Sequence, residues 1–133
     1  MSKIVIVGSG PAGCSAALYA ARAGMETTVI SMGAGALQKA ELIQNYYGFE
    51  EGITGAELYR RGVAGAKAVG AVFVAAEVVG LDYAHSLVVQ TTAGDYPADA
   101  VILTTGTGRI APKIAGLAEH EGRGVSYCAT CDA

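Results

Sequence analysis

An α/β fold, with a parallel sheet and an antiparallel three-stranded excursion, is predicted by three features of this chain. Residues 3–7 (KIVIV) form a continuous apolar run, the pattern of a parallel strand buried on both faces. A glycine-rich turn, an alanine-rich helical stretch and the β-branched run 27–31 (TTVIS) follow, making one βαβ unit of about thirty residues. A second apolar run at 100–105 supplies another strand that must be covered on both faces.

The remaining elements follow in order. A helix is expected over 11–23, with Pro11 in its first turn and Gly24 just past its end, the usual asymmetry of helix termini. Its apolar residues run all the way round and most are alanine, so it is expected to lie buried and close on the sheet. Residues 32–53 read as irregular, with loops at GAG and YYGFEEG around the segment ALQKAELIQN. Thr54 and Glu57 have capping-box spacing and start a helix over 55–69, which Gly70 ends. A strand is expected at 71–75. Residues 76–83 and 86–92 alternate as antiparallel strands do, and Ala93-Gly94-Asp95 makes the next turn, so the excursion occupies 76–98. After Gly106 the sequence is punctuated by Gly and Pro up to Gly124 and reads as a linker or a crossing between domains. The division expected is therefore 1–106 and 107–133. There is no internal repeat and no low-complexity tract.

The chain has 133 residues, 52% hydrophobic and 16% charged, which excludes a disordered segment. A net charge of −3 leaves no electrostatic footprint for nucleic acid or an anionic membrane. No apolar run approaches the ~20 residues of a membrane span. Met1-Ser2-Lys3 leads straight into the first strand without a charged leader, so a cytoplasmic protein is expected. Three cysteines are too few for a disulfide framework, and Cys128-x-x-Cys131 in a reducing compartment points to redox catalysis or metal binding. One such pair supplies two ligands where a structural zinc takes four, so the metal reading fails on number. His85 and His120 fit a solvated surface, and Cys14 fits a small core residue.

Gly8-Ser9-Gly10-Pro11-Ala12-Gly13 lies between a strand and a helix, the context a dinucleotide-binding turn requires. The first glycine permits the tight turn, the second lets a pyrophosphate approach the backbone, and the third lets the helix pack on the strand. Free N–H groups and the positive end of the helix dipole then hold the phosphates. The acidic residue that usually ends the second strand and holds the adenine-side ribose is absent: Ser31-Met32 stands there. A serine can hydrogen-bond a ribose more weakly than a carboxylate, and with no arginine nearby an NADP ligand is disfavoured in this first site.

The motifs GSGPAG at 8–13, Gly35-Ala36-Leu37, Gln44-Asn45-Tyr46-Tyr47-Gly48-Phe49, Thr104-Thr105-Gly106 and Cys128-Ala129-Thr130-Cys131-Asp132 occur in this order along nearly the whole chain. In these the chain resembles the N-terminal part of low-molecular-weight thioredoxin reductases, flavoproteins of the pyridine nucleotide–disulfide oxidoreductase group. The resemblance implies a Rossmann-like FAD-binding half-domain over 1–106 and the beginning of an NADPH-binding domain in 107–133. It implies that Gly8, Gly10, Pro11, Ala12 and Gly13 hold the FAD pyrophosphate and that Ser31 sits by the adenosine ribose. Gly35, Ala36 and Leu37 would pass along the flavin; Ala36 stands where the family often has glutamine. Asn45 would lie beside the flavin ring, Val78 or Val79 near the adenine through the backbone, and Thr105 and Gly106 would close the site.

The same resemblance implies a path of electrons from NADPH to FAD, to the Cys pair and on to a disulfide substrate such as thioredoxin. Cys131 would face the flavin, Cys128 would exchange with the substrate, and Asp132 would act as acid/base toward the leaving thiolate. Two thiols at this spacing suit the task, because they form a small disulfide with a lowered pKa on one sulfur. These 133 residues contain neither a second glycine-rich βαβ unit nor the returning Gly-Asp segment of the family's FAD domain. The chain is therefore expected to be a fragment that does not turn over alone. A rival expectation is a dinucleotide-binding module or subunit that needs a complementing chain or a homodimer.

Overall fold

The computed structural model describes residues 1–83, 85–108 and 110–127. Its elements are β1 (Lys3–Val7), α1 (Pro11–Arg22), β2 (Glu26–Ser31), α2 (Gly55–Ala68), β3 (Val72–Ala75), β4 (Val78–Tyr83), β5 (Leu87–Thr91), β6 (Gly94–Ala98) and β7 (Ala100–Leu103). Four strands form a parallel sheet in the order β3-β2-β1-β7, and β4-β5-β6 form an antiparallel meander. The α/β class, the parallel sheet and the three-stranded excursion are thus as the sequence predicts.

Register explains why β1 reads as unbroken apolar sequence. Ile6 lies opposite Val29 of β2 and Ile102 of β7. Alternate β1 residues enter two cores on opposite faces. On one face Ile6 and Val29 pack with Ala17 of α1, Ala66 of α2 and Ala71. On the other, Val5, Val7 and Ile30 pack with Val89 and Ala98 of the meander. Helices cover one side and the antiparallel strands the other, so a strand in the middle has no face on which a polar residue is cheap. Ile6, Val29, Ile30 and Val89 are fully buried, each worth about 1.5–3 kcal/mol relative to exposure.

Small residues set the closeness of the helical layer. Ala17 and Ala66 are fully buried. A Cβ at Gly62 of α2 would lie 3.4 Å from both Cβ and Sγ of Cys14 on α1, so the two helices meet at van der Waals distance. Thr54 caps α2 by accepting the Glu57 N–H at 3.2 Å. The Glu57 carboxylate, however, turns along the helix to Arg60 and Arg61, each at 2.7 Å, so only the threonine half of a capping box forms.

Two regions that read as irregular acquire structure. Gly35–Lys39 is a short 3-10 helix, and Ile43 and Ile53 form an isolated antiparallel bridge that closes the intervening loop. Within that loop Tyr46 stacks on Phe49 at 5.9 Å, and the Arg61 guanidinium lies 5.7 Å from the Phe49 centroid. Pro97 sits on the edge strand β6, where its missing N–H is tolerated. In the segment read as a linker, Ala118–His120 form a 3-10 turn, and Glu121 and Val125 form an isolated bridge.

Candidate dinucleotide site

The carboxyl ends of the parallel strands are tied in a row. The Gly8 N–H donates to the Ile30 carbonyl at 2.8 Å, the Ala76 N–H to the Ser31 carbonyl at 3.2 Å, and the Thr104 N–H to the Val7 carbonyl at 2.8 Å. Ligands of open α/β sheets bind beyond this edge. The glycine turn at 8–13, Ser31 and Thr104 all lie here.

The three glycines of the turn differ physically. Gly8 has a φ of +106°, and a Cβ there would collide with the Thr104 carbonyl. At Gly13 a Cβ would strike the Gly8 carbonyl and come 2.8 Å from Thr104 Oγ1. Both are glycines because the protein itself leaves no room. Gly10 is otherwise: its φ is −64° and ψ −173°, a region any residue adopts, and a Cβ there would meet nothing within 4 Å. It is the N-cap of α1 and offers no side-chain cap, and the first turn carries no acidic residue. The first helical bond is from the Cys14 N–H to the Gly10 carbonyl at 2.9 Å. The N–H groups of Ala12 and Gly13 precede it and so have no partner within the helix. A bare N-terminus with open space before it suits an anion, and these residues fit the pyrophosphate of a dinucleotide.

A cleft of about 180 Å³ opens beside the turn, between α1 and α2. Gly10, Pro11, Cys14, Leu37, Tyr46 and Tyr59 are among its walls. The structure thereby brings Leu37, at the centre of the 3-10 helix, and Tyr46 to the glycine turn. Gly35 (φ +57°) and Ala36 are exposed beside Leu37, and Asn45 is exposed next to Tyr46. Val79 is placed by a register shift: Val78 pairs with Thr91 and Gly80 with Gln90. This leaves Val79 as the extra residue of a bulge, 65% exposed. Thr105 and Gly106 follow β7 and are exposed, with Gly106 at φ +72°. Cys128, Cys131 and Asp132 lie outside the described residues.

Four residues of this region, Thr104, Ser9, Tyr59 and Cys14, are given no role in the sequence-derived site. Thr104 donates its hydroxyl to the carbonyls of Val7 and Gly8 at 2.9 and 3.0 Å and fixes the turn. Ser9, 1% exposed, contacts Ser31 Oγ at 2.6 Å, Tyr59 Oη at 3.0 Å and the Gly33 carbonyl at 3.2 Å. No periodic signal marks Tyr59, which reaches Ser9 from α2 across fifty residues. Cys14 is buried, donates to the Ser9 carbonyl at 3.1 Å, and has its thiol pKa pushed up by burial. Among the described residues no cluster of His, Cys, Asp and Glu could hold a metal ion, and no helix is long and apolar enough to cross a membrane.

Comparison with known proteins agrees with this geometry. Residues 2–133 match the pyridine nucleotide-disulphide oxidoreductase family. The thioredoxin reductase of Streptomyces coelicolor is 40% identical over 135 residues, covering 98% of this chain and 42% of that protein. That of Bacillus subtilis is 38% identical over 132 residues, covering 97% and 42%. Among solved structures, an atypical thioredoxin reductase from Desulfovibrio vulgaris Hildenborough superposes with a TM-score of 0.76 at 44% identity, covering 99% of this chain and 45% of that one. The thioredoxin reductase of Giardia duodenalis gives 0.84 at 28% identity, covering 98% and 44%. The chain thus spans less than half the length of these relatives, and it belongs to the pyridine nucleotide-disulphide oxidoreductase family.

Proposed function

We propose that this chain supplies the adenosine and pyrophosphate half of an FAD site, together with the redox dithiol, of a thioredoxin reductase-like disulfide oxidoreductase. The observation that carries this reading is the contrast at the glycine turn. Gly8 and Gly13 are demanded by contacts within the protein, whereas the space at Gly10 is taken by nothing in it. The N–H groups of Ala12 and Gly13 would hold the diphosphate, with Gly10 and Pro11 allowing its approach. Ser31 would meet the ribose, and the bulged Val79 would offer its backbone to the adenine. Gly35, Ala36, Leu37 and Asn45 would border the flavin, and Thr105 and Gly106 the opposite rim. When bound, FAD supplies the two-electron relay between NADPH and the dithiol. Cys128 would exchange with the substrate disulfide, Cys131 would face the flavin, and Asp132 would hand a proton to the departing thiolate. The substrate is a protein disulfide of the thioredoxin kind, and the compartment is the cytoplasm.

Because these residues correspond to about 42% of the relatives' length, the rest of the FAD and NADPH sites falls to further segments, to a complementing chain or to a second copy. The 133 residues alone are expected to bind FAD weakly and not to oxidise NADPH. Titration of the flavin-free protein with FAD, followed by flavin fluorescence, tests this. Saturable binding that Gly10→Val removes supports the reading. Failure of FAD to bind at any concentration, or binding indifferent to Gly10→Val, would refute it. Stoichiometric binding at nanomolar concentration would show that another copy completes the site.

A further inference from the structure

We infer that Ser9, supported by Tyr59, is a positioning residue for recognition of the ribose: it takes the proton of Ser31 and leaves Ser31 as a hydrogen-bond acceptor at the end of β2. The inference rests on the FAD-site reading above.

The direction of the protons follows from counting donors. A carbonyl can only accept, so the 3.2 Å contact to the Gly33 carbonyl uses the single Ser9 proton. Ser31, at 2.6 Å, must then donate to Ser9, and Tyr59, at 3.0 Å, must donate as well. Ser9 is saturated, with one bond given and two received, as a residue 1% exposed has to be. Ser31 stays half-buried and retains lone pairs without a free proton. Its main chain is held too, because its carbonyl accepts from the Ala76 N–H at 3.2 Å.

This answers the puzzle set by the missing acid. A carboxylate at the end of the second strand serves as an acceptor for a ribose hydroxyl. A free serine would turn its proton outward as readily as its lone pairs. Bound to Ser9, Ser31 keeps only the accepting role, so the ligand it suits has an unmodified ribose hydroxyl. A 2′-phosphate, itself an acceptor, would face lone pairs.

The test uses the full 133-residue chain with ADP and 2′-deoxy-ADP as probes and FAD as a control, by calorimetry or by displacement of a fluorescent nucleotide. Wild type is expected to prefer ADP by about threefold to tenfold, the range of one neutral hydrogen bond. Ser31→Ala should bring the ratio to one, and Ser31→Thr should restore it. Ser9→Ala should also lower the ratio toward one although Ser31 is intact. Tyr59→Phe, a surer folder, should lower it partway with the melting temperature reduced by no more than a few degrees, about the effect of one net hydrogen bond. A loss of packing alone would weaken both probes equally and leave the ratio unmoved. If ADP and FAD bind but the ratio is already one in wild type, or persists in Ser9→Ala and Tyr59→Phe, the inference is wrong while the site reading stands. If neither ADP nor FAD binds, both fall.

Discussion

The Thr104 hydroxyl reaches across 96 residues of sequence to the Gly8 carbonyl, at 3.0 Å, and to the Val7 carbonyl at 2.9 Å. One side chain after β7 therefore fixes the first half of the glycine turn. Replacing it with valine keeps the shape and removes the hydroxyl. The Val7 carbonyl keeps the Thr104 N–H at 2.8 Å, so the expected loss is about 1 kcal/mol of stability, one net hydrogen bond. Thr104→Ser should retain most of it. Urea midpoints of the two variants give the comparison, and equal midpoints would count against the anchor.

The glycine turn makes a sharper prediction, because its positions should respond oppositely. Gly13→Ala gains about 1 kcal/mol of helix propensity. That gain is outweighed, since the new Cβ strikes the Gly8 carbonyl and rigid backbone must move; overpacking costs about 1–3 kcal/mol. Gly10→Ala introduces no contact in a conformation open to alanine. Reduced freedom of the unfolded chain, about 0.4–1 kcal/mol, is offset by alanine's poorer fit at this N-cap, so the fold should be unchanged to within about 1 kcal/mol. Yet Gly10→Ala should weaken FAD binding. Thermal melts and FAD titrations on both variants check this; destabilisation at Gly10 without loss of FAD would reverse the assignment.

Cys14 should behave as a protected thiol. It is 4% exposed, hydrogen-bonded to the Ser9 carbonyl, and burial pushes its pKa up, which lowers the fraction present as reactive thiolate. In a Cys128→Ser, Cys131→Ser background, maleimide labelling of the native chain at neutral pH should be at least about tenfold slower than in denaturant. Equal rates would mean that the contact between α1 and α2 opens freely.

Local patterns carried much of the fold. The apolar run of β1, the Pro11 start of α1, the Thr54 cap and the turn before β6 are each written within a few adjacent residues. What was not legible depends on partners far apart in sequence. Nothing near residue 80 says that the meander would cover the face of β1 opposite the helices; Val89 does this by meeting Val5 and Val7. The loop at 43–53 read as irregular because its order comes from the Ile43–Ile53 bridge and from Arg61, on α2, against Phe49. β7 ends at Leu103 where the apolar run continued to Thr105, since Thr104 turns its hydroxyl back to the glycine turn. At the site, the motif named the glycines but was silent on Ser9, a variable position in the pattern. Its role appears only when Ser31 and Tyr59 are brought to it.

Acid should weaken the first turn of α2. Hydrogen bonds from Arg60, then from Arg61, hold the Glu57 carboxyl down to about 2 from an ordinary value of 4.5. A carboxyl whose pKa is lowered by folding adds stability that is complete above its unfolded pKa and is lost as pH falls through the folded one. The contribution of Glu57 should therefore be fully present above pH 4.5, decline from there toward pH 2, and vanish below. Arg60 and Arg61 are 67% and 58% exposed, so water and salt weaken the pairs and the effect should be small. Melting temperatures of wild type and Glu57→Gln, taken from pH 1.5 to 7 at low salt (about 0.01 M) and at about 1 M, measure it. The two curves should converge near pH 2 and separate up to about pH 4.5, with the gap narrowing at high salt. A constant difference across the whole range would show that Glu57 acts through packing on α2, and that its ion pairs with the two arginines contribute nothing.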